Sequence, residues 1–374
     1  MPVGAADPIQ VWDYRAEYED EREEILEAVE KVFSSGRLIL GEQVRAFEAR
    51  FSAYCGVAHG VGVNSGTDAL VLGLRALDVG PGDQVITVAN TAVPTVAAIV
   101  ATGATARFVD IDPATYLMDV DQLEGAITSE TKAILPVHLF GQCVRMERVQ
   151  EVAARHGLRI LEDCAQSHGA TRNEVMAGAM SDVAAYSFYP TKILGGYGDG
   201  GMVVTNNADI AARVRRLRMY GMEQEYYSEE QGYNSRLDEV HAAILLGKLD
   251  RLDGYIARRE ALAARYDQAL ADTPLVLPRT DPGNRHAYYL YVCRHPRRDF
   301  IIDELKKRDI LVNVSYRWPI HVMRAYQSLG YREGDLPHTE AAAREIFSLP
   351  MYPALSDSDQ DRVCAALHEI LRAI

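Results

Sequence analysis

The chain has 374 residues, of which 48% are apolar and 25% are charged, and its formal net charge is −14 at pH 7. This length and balance are typical of a soluble globular protein with about two domains. The acidic balance argues against a nucleic-acid partner, because binding a polyanion requires a surplus of lysine and arginine. Residues 1–30 lack the apolar core of a signal peptide, and no apolar run approaches the ~20 residues of a membrane span. We therefore expect neither a nucleic acid nor a membrane as partner.

The helical and strand patterns alternate through the first half of the chain. Helical periodicity covers 16–34 and 43–55, and a third helix follows a small polar cap at 65–77. Short apolar segments then predict strands at 84–89, 106–111, 132–138, 159–164 and 183–188. The segments between them predict helices near 93–102, 119–128 and 145–156. This alternation predicts an α/β fold with a mostly parallel central sheet flanked by helices.

The second half has a different organisation. A strand at 202–206 and a helix at 208–219 precede the polar, tyrosine-rich loop 220–235, and 236–272 predicts one or two long helices. The remainder mixes predicted strands and helices: strands at 288–294 and 311–316, and helices at 300–308, 339–346 and 357–373. We therefore predict a large domain over 1–250, which includes the N-terminal helix, and a smaller α+β domain over 251–374.

The cysteines are odd in number and widely spaced: Cys55, Cys143, Cys164, Cys293 and Cys364. They form no CxxC pair and no cluster with histidine at the spacing of metal ligands. We therefore predict reduced thiols in a cytoplasmic protein and no metal site.

The glycine run 195–201 contains a match to GxGxxG, the fingerprint of dinucleotide-binding sites. That fingerprint must follow a strand and open a helix, so that the helix N-terminus meets the pyrophosphate. Here the run follows a loop and leads into a strand. The context therefore argues against a dinucleotide site, and we expect these glycines to let the backbone pass close to a cofactor ring.

Three other features indicate a ligand site. The segment Ser65–Thr67 opens a helix, where free amides can bind a phosphate, although an ordinary N-cap explains it as well. Asp163 ends a buried strand, where it is either a turn former or a ligand-binding carboxylate. Lys192 lies just past the neighbouring strand and, taken alone, fits a solvated loop charge better than a phosphate-binding lysine or a nucleophile. Together, an amine, a carboxylate and a phosphate-binding helix start are what pyridoxal 5′-phosphate (PLP) requires.

Four ordered motifs carry a resemblance to a known family: SGTDAL from Ser65, EDCAQSHGA from Glu162, SFYPTK from Ser187 and NSRLDE from Asn234. Weaker similarity extends to Tyr316–His321 and 348–353. Together these segments resemble the DegT/DnrJ/EryC1/StrS sugar aminotransferases, which are PLP-dependent enzymes of fold type I, the aspartate aminotransferase-like fold. The resemblance covers nearly the whole chain and implies that architecture, with a large domain and a smaller C-terminal domain.

The resemblance implies the roles of the catalytic residues. Lys192 is expected to form the Schiff base with the cofactor and to move the proton during amino transfer. Asp163 is expected to pair with the pyridinium nitrogen, and Gln166 to contact the ring hydroxyl. One position departs from the family: many relatives stack an aromatic residue on the pyridine ring where this chain has Ala92, so the sequence does not define what covers that face.

The resemblance also implies the phosphate contacts and the assembly. Gly66, Thr67 and Ser187 are expected to hold the phosphate within one chain. Asn234 is expected to reach the same phosphate from a second copy, which implies a homodimer with shared active sites and gives the loop 220–235 a function.

The family mostly transfers an amino group from L-glutamate or L-glutamine to a nucleotide-linked ketosugar. The motifs look most like those of enzymes that aminate C3 of dTDP-3-keto-6-deoxyhexoses in natural-product biosynthesis, with C4 amination of a hexose or pentose as the alternative. Arg236, Tyr316 and His321 are candidates for contacting the substrates, and a plain structural role is the alternative for each. Two rivals are a sugar dehydratase, which would carry histidine in place of Lys192, and an inactive PLP-binding regulator.

Overall fold

The computed structural model describes residues 8–374. The helices of this part are α1 (Tyr14–Ser35), α2 (Glu42–Cys55), α3 (Gly66–Ala76), α4 (Val93–Ala101), α5 (Leu123–Ala126), α6 (Met146–His156), α7 (Ala208–Leu217), α8 (Glu239–Leu270), α9 (Arg298–Lys306), α10 (Pro337–Glu345) and α11 (Asp357–Arg372). None of these helices has the length and apolar content needed to span a bilayer.

The strands are β1 (His59–Val63), β2 (Gln84–Val88), β3 (Thr105–Val109), β4 (Thr131–Ile134), β5 (Arg159–Asp163), β6 (Thr171–Arg172), β7 (Val175–Met176), β8 (Val183–Ser187), β9 (Gly201–Thr205), β10 (Met222–Gln224), β11 (Tyr227–Ser228), β12 (Asn284–Arg285), β13 (Tyr291–Arg294) and β14 (Ile346–Leu349). Seven of them form one sheet in the order β1-β9-β8-β5-β4-β2-β3. Only β9 runs against its neighbours in this sheet, and β8, β5, β4, β2 and β3 are parallel.

This sheet confirms the predicted α/β class and brings several chain segments to one edge. The carboxyl ends of the parallel strands β2, β5 and β8 point the same way, so the residues that follow them lie along a common edge. Helix α3 packs on β5, β8 and β9, and its Gly73 allows close contact, because a Cβ there would lie 2.7 Å from a methyl carbon of Leu161. The N-terminus of α3 is thereby placed beside the end of β8.

The buried apolar side chains form two clusters, and α8 connects them. Leu252 and Ile256 of this helix belong to the cluster around the large sheet. Leu262 and Tyr266 belong to a second cluster, formed with the antiparallel pair β13–β14 and helices α9 and α11. Ile9 also packs in the second cluster, although it precedes α1 in the chain. The domain boundary at residue 250 stays a prediction.

Two predicted elements differ in the structure. The segment 311–316 is not a strand: within it Asn313 alone forms an isolated bridge, with Ser348, and the preceding Ile310 forms one with Ile9. Asp309 and Tyr316 bracket this segment with positive φ values of 57° and 58°, which turn the chain away from an extended path. The helix predicted at 119–128 is a 3₁₀ turn followed by the four-residue α5. The segment 236–272 contains one continuous helix, α8.

Candidate active site

Asp163 ends β5 with a buried side chain that is 4% exposed. Its Oδ2 accepts a hydrogen bond from Thr95 Oγ1 at 2.8 Å, and its Oδ1 accepts one from the Ala165 amide at 3.1 Å. Burial raises the pKa of Asp163, while these two hydrogen bonds and the charge of Lys192 oppose the rise. The carboxylate is therefore held in a fixed orientation, within the electrostatic reach of the lysine.

A second threonine extends this contact. Thr91 Oγ1 lies 2.9 Å from Thr95 Oγ1. Because a hydroxyl has one hydrogen and Thr95 gives its own to Asp163, Thr91 must be the donor in this pair. These two hydrogen bonds therefore fix the Thr95 hydroxyl as a donor to the buried Asp163 carboxylate.

The N-terminus of α3 provides the phosphate-sized site. Ser65 caps the helix by accepting a hydrogen bond from the Asp68 amide at 3.1 Å, while the amides of Gly66 and Thr67 find no acceptor within the described residues. Ser187, at the end of β8, lies against Gly66: a Cβ on Gly66 would be 2.5 Å from the Ser187 Cβ. Two free amides, a nearby hydroxyl and the positive end of a helix dipole suit a phosphate dianion.

Lys192 follows β8 in a tight turn, in which its amide donates to the Tyr189 carbonyl at 2.8 Å. The side chain is half-buried, and among residues 8–374 no carboxylate lies within 4.0 Å of its amine. A half-buried amine without an acidic partner is available for bonding to a ligand.

Gln166 is fixed by contacts on both ends of its amide. Its Oε1 accepts a hydrogen bond from the Phe140 amide at 2.9 Å, and its Nε2 donates to the Tyr316 hydroxyl. The ring of Tyr316 stacks on that of Phe140 with centroids 6.0 Å apart. The structure therefore connects Tyr316 to the site through Gln166.

This donor set fits PLP. The buried carboxylate can accept a hydrogen bond from the protonated ring nitrogen. The free helix amides can bind the phosphate, and the unpaired amine can bond the aldehyde. The absence of a Cβ at Gly66 keeps Ser187 and the start of α3 close enough to share one phosphate.

Comparison with known proteins decides the family. The model of the DegT/DnrJ/EryC1/StrS aminotransferase family matches residues 19–368. The chain belongs to this family. The membership confirms the predicted fold type, the transaminase class and PLP as the cofactor.

Three similar proteins are informative. The dTDP-3-amino-3,4,6-trideoxy-alpha-D-glucose transaminase of Micromonospora megalomicea subsp. nigra is 55% identical over 370 residues, which is 97% of this chain and 99% of that protein. The pleiotropic regulatory protein of Geobacillus stearothermophilus is 42% identical over 97% of this chain and 99% of its own length. The crystal structure of S. venezuelae DesV in complex with a ketimine intermediate superimposes with a TM-score of 0.97 at 44% identity, covering 99% of this chain and all of that one.

The structure gives the remaining candidate residues of this aminotransferase no contact with Lys192, Asp163 or Ser187 among residues 8–374. Asn234 is exposed, and its neighbour Ser235 donates to Asp68 at 2.7 Å at the start of α3. Arg236 lies over the ring of Tyr220, 5.9 Å from its centroid. The phosphate role of Asn234 and the substrate role of Arg236 stay predictions.

His321 is fully buried, and its Nε2 lies 3.1 Å from Glu340 Oε1. The segment that follows Tyr316 is held at a second point, since the adjacent Ile320 amide donates to the Ala89 carbonyl. Its substrate role also stays a prediction.

A buried group of possible metal ligands adjoins Asp163. Atoms of His138, Glu162 and Cys164 lie within 4.8 Å of one another. His138 Nδ1 accepts from the Val144 amide, so its Nε2 carries the hydrogen and donates to Glu162 at 2.8 Å. Glu162 also accepts from three further donors of residues 178–181. These hydrogen bonds explain the group without a metal.

Sequence reasoning missed Thr91, Thr95 and Tyr289. Thr91 lies two residues before the first residue of α4, and Thr95 lies in its first turn, four residues later, a spacing at which side chains can meet at a helix start. That spacing is a signal that could have identified the pair. Tyr289, whose ring centroid lies 4.8 Å from the Lys192 amine, comes from the C-terminal part of the chain, and no local pattern connects the two residues.

Gly66→Ala is expected to weaken PLP binding, because the new Cβ would displace Ser187 or the start of α3. An overpacked contact of this kind costs about 1–3 kcal/mol, so we expect the Kd for PLP to rise about tenfold or more. Absorbance titration of the cofactor-free protein measures it. Gly247→Ala is the control: nothing lies within 4 Å of its Cβ, and alanine in helix α8 should add about 0.5–1 kcal/mol of stability with an unchanged Kd. An unchanged Kd in Gly66→Ala would contradict this arrangement.

Proposed function

We propose that this aminotransferase transfers an amino group from L-glutamate or L-glutamine to C3 of a dTDP-linked 3-keto-6-deoxy sugar. The observation that carries the proposal is the 55% identity, over nearly both full lengths, to a transaminase named for a dTDP-3-amino sugar. The site supports it with the groups that amino transfer requires.

The residues divide the chemistry among them. Bound PLP supplies an aldehyde that carries the amino group and a ring that withdraws electrons. Lys192 would hold that aldehyde, and its free amine would move the proton at the substrate carbon as a general base and acid. Asp163, held by Thr95 and the Ala165 amide, keeps a proton on the ring nitrogen through its negative charge. Gln166 contacts the ring hydroxyl.

The phosphate is bound where α3 and β8 meet. The amides of Gly66 and Thr67 and the hydroxyl of Ser187 bind it from one chain, and Asn234 binds it from a second copy. The exposed aromatic loop 220–235 supports this assembly, because Tyr226 and Tyr227 are 91% and 60% exposed there. Large exposed tyrosines fit a protein interface better than open solvent. The active unit is thus a homodimer with shared sites.

The protein is cytoplasmic, which its free, buried cysteines support. Its chain is divided into a large domain over 1–250 and a smaller one over 251–374. The separate apolar cluster around β13, β14 and α11 supports this division.

A regulatory protein without transaminase activity is the second candidate, because a relative of 42% identity is named as a pleiotropic regulatory protein. Lys192 and Asp163 both favour the enzyme, since mere PLP binding does not require a general base beside a buried carboxylate.

The test uses the PLP-loaded protein with L-glutamate or L-glutamine and matched dTDP-3-keto and dTDP-4-keto sugars. We expect a 3-amino product and a kcat/KM at least about tenfold higher for the 3-keto sugar, because a specific site leaves buried polar groups unpaired with the wrong isomer. NMR assigns the position of the amine. A 4-amino product would contradict the C3 assignment. A cofactor spectrum that neither amino donor alters would favour the regulator.

A further inference from the structure

The Lys192 amine is in contact with an aromatic ring. The amine lies over the ring of Tyr289, 4.8 Å from its centroid, in the geometry of a cation–π contact. No carboxylate of residues 8–374 competes for it within 4.0 Å. The electron-rich face of Tyr289 is therefore the group that meets the amine when it is not bonded to a cofactor.

A hydrogen bond also joins Tyr289 to the residue before Lys192. The hydroxyl oxygens of Tyr289 and Thr191 lie 3.0 Å apart. Because Thr191 precedes Lys192 directly, the tyrosine contacts the lysine turn at two adjacent points, with its hydroxyl on one residue and its ring face on the next. Two contacts fix the ring relative to the amine better than one.

Tyr289 is itself held rigidly from behind. Arg259 is buried, and its Nη1 donates to the carbonyls of Tyr288, Tyr289 and Met351 at 3.2, 3.3 and 2.8 Å. Burial lowers the pKa of Arg259 to about 10, so the guanidinium remains charged at neutral pH. Burying a cation without a carboxylate partner costs free energy. The hydrogen bonds that Arg259 makes instead hold the backbone at Tyr289 in place.

Gly141 completes this support. A Cβ there would lie 2.7 Å from the Tyr289 nitrogen and 2.8 Å from the Tyr288 nitrogen. Its φ of 109° also favours glycine. The backbone at Tyr289 thus packs directly against Gly141, which follows the residue that donates to Gln166, Phe140. The position of the Tyr289 ring is therefore fixed by Arg259 and by Gly141.

We propose that Tyr289 is the positioning residue for the Lys192 amine, receiving it on the ring face whenever the amine is not bonded to the cofactor. The proposal rests on the proposed role of Lys192. Tyr289, from the C-terminal part of the chain, thus keeps the Lys192 amine at the site through each turnover.

Competitive labelling of the cofactor-free full chain tests the contact. Trinitrobenzenesulfonate at pH 7 labels unprotonated amines, and peptide mapping reports Lys192 relative to the exposed Lys31. We expect Tyr289→Leu to raise the relative labelling of Lys192 about two- to fivefold, which corresponds to about 0.5–1 kcal/mol of cation–π attraction. Tyr289→Phe keeps the ring and should leave the labelling within about 1.5-fold of the wild type.

A graded series keeps the test decisive if Tyr289→Leu does not fold. Phenylalanine with one and then three ring fluorines at position 289 preserves the shape while it weakens the negative ring face. Lys192 labelling should rise with each step. Equal labelling across the series, or in Tyr289→Leu, would overturn the proposal. Borohydride reduction of the PLP-loaded wild type and peptide mapping show separately whether Lys192 binds the cofactor, so failure of that role is distinguishable.

Discussion

Replacing Lys192 with alanine is expected to remove the visible absorbance of the bound cofactor and to lower transamination at least about 10³-fold. In the proposed mechanism the Lys192 amine both bonds the aldehyde and moves the proton, so its removal should abolish both functions. Single-turnover kinetics with glutamate and an absorbance scan measure both effects. Lys192→Arg is the matched control for charge, because a guanidinium keeps the cation beside Tyr289 but cannot bond the aldehyde. Activity retained in either variant would contradict the assignment.

The Lys192→Ala variant can also test whether the two active sites of the proposed dimer share residues. Asn234→Asp places a negative charge where a phosphate is expected and should inactivate the protein alone. If Asn234 serves the partner's site, a mixed dimer of Lys192→Ala with Asn234→Asp contains one intact site. After equal mixing and subunit exchange we expect recovery of about a quarter of the wild-type activity, since about half the dimers are mixed. No recovery after verified exchange would contradict shared sites.

The sequence was sufficient for those parts of the site that follow strand and helix ends. Asp163 and the start of α3 lie where the apolar periodicity stops, and the carboxyl ends of parallel strands share an edge by geometry. The contacts that orient these groups were not predictable in the same way. Thr95 is 68 residues from Asp163, Tyr289 is 98 from Thr191, and Tyr316 is 150 from Gln166. Local patterns carry no information about pairs at such separations.

The glycine run 195–201 is a second case in which the sequence predicts the local structure but not the tertiary contacts. The prediction that it feeds a strand, and so is no dinucleotide fingerprint, is confirmed by β9, which begins at Gly201. The structure gives the glycines a packing role: a Cβ on Gly201 would lie 2.3 Å from the Ser65 carbonyl oxygen, and one on Gly198 would lie 2.7 Å from the His241 ring. Gly201 thus brings β9 against the residue that caps α3. Which surface a glycine must approach depends on the tertiary fold, and the motif alone does not state it.

Asp163→Asn is expected to stabilise the cofactor-free protein at neutral pH while it lowers transamination about 10²–10³-fold, the usual effect of removing one preorganised electrostatic group. Burial raises the pKa of Asp163 in the folded state. An acid of this kind costs stability above its folded pKa and none below its unfolded pKa of about 3.9. Asparagine carries no charge and avoids this cost.

The hydrogen bonds can adapt to the amide. Its oxygen would accept from the Ala165 amide, and its NH₂ group would donate to Thr95, whose hydroxyl would then turn to donate to Thr91. Each buried polar group keeps at least one hydrogen-bond partner, so we expect the loss of the charge to dominate the change in stability.

Thermal unfolding of the cofactor-free protein between pH 4 and pH 8 measures the effect. The midpoint of Asp163→Asn should exceed that of the wild type at pH 8, and the difference should shrink as the pH falls toward 4. Asp272→Asn, an identical charge change at an exposed position, is the control for net charge. A pH-independent loss of stability in Asp163→Asn would show that the carboxylate supports the fold. A gain at pH 8 with lost activity would show that this aminotransferase keeps a destabilising buried charge because the cofactor requires it.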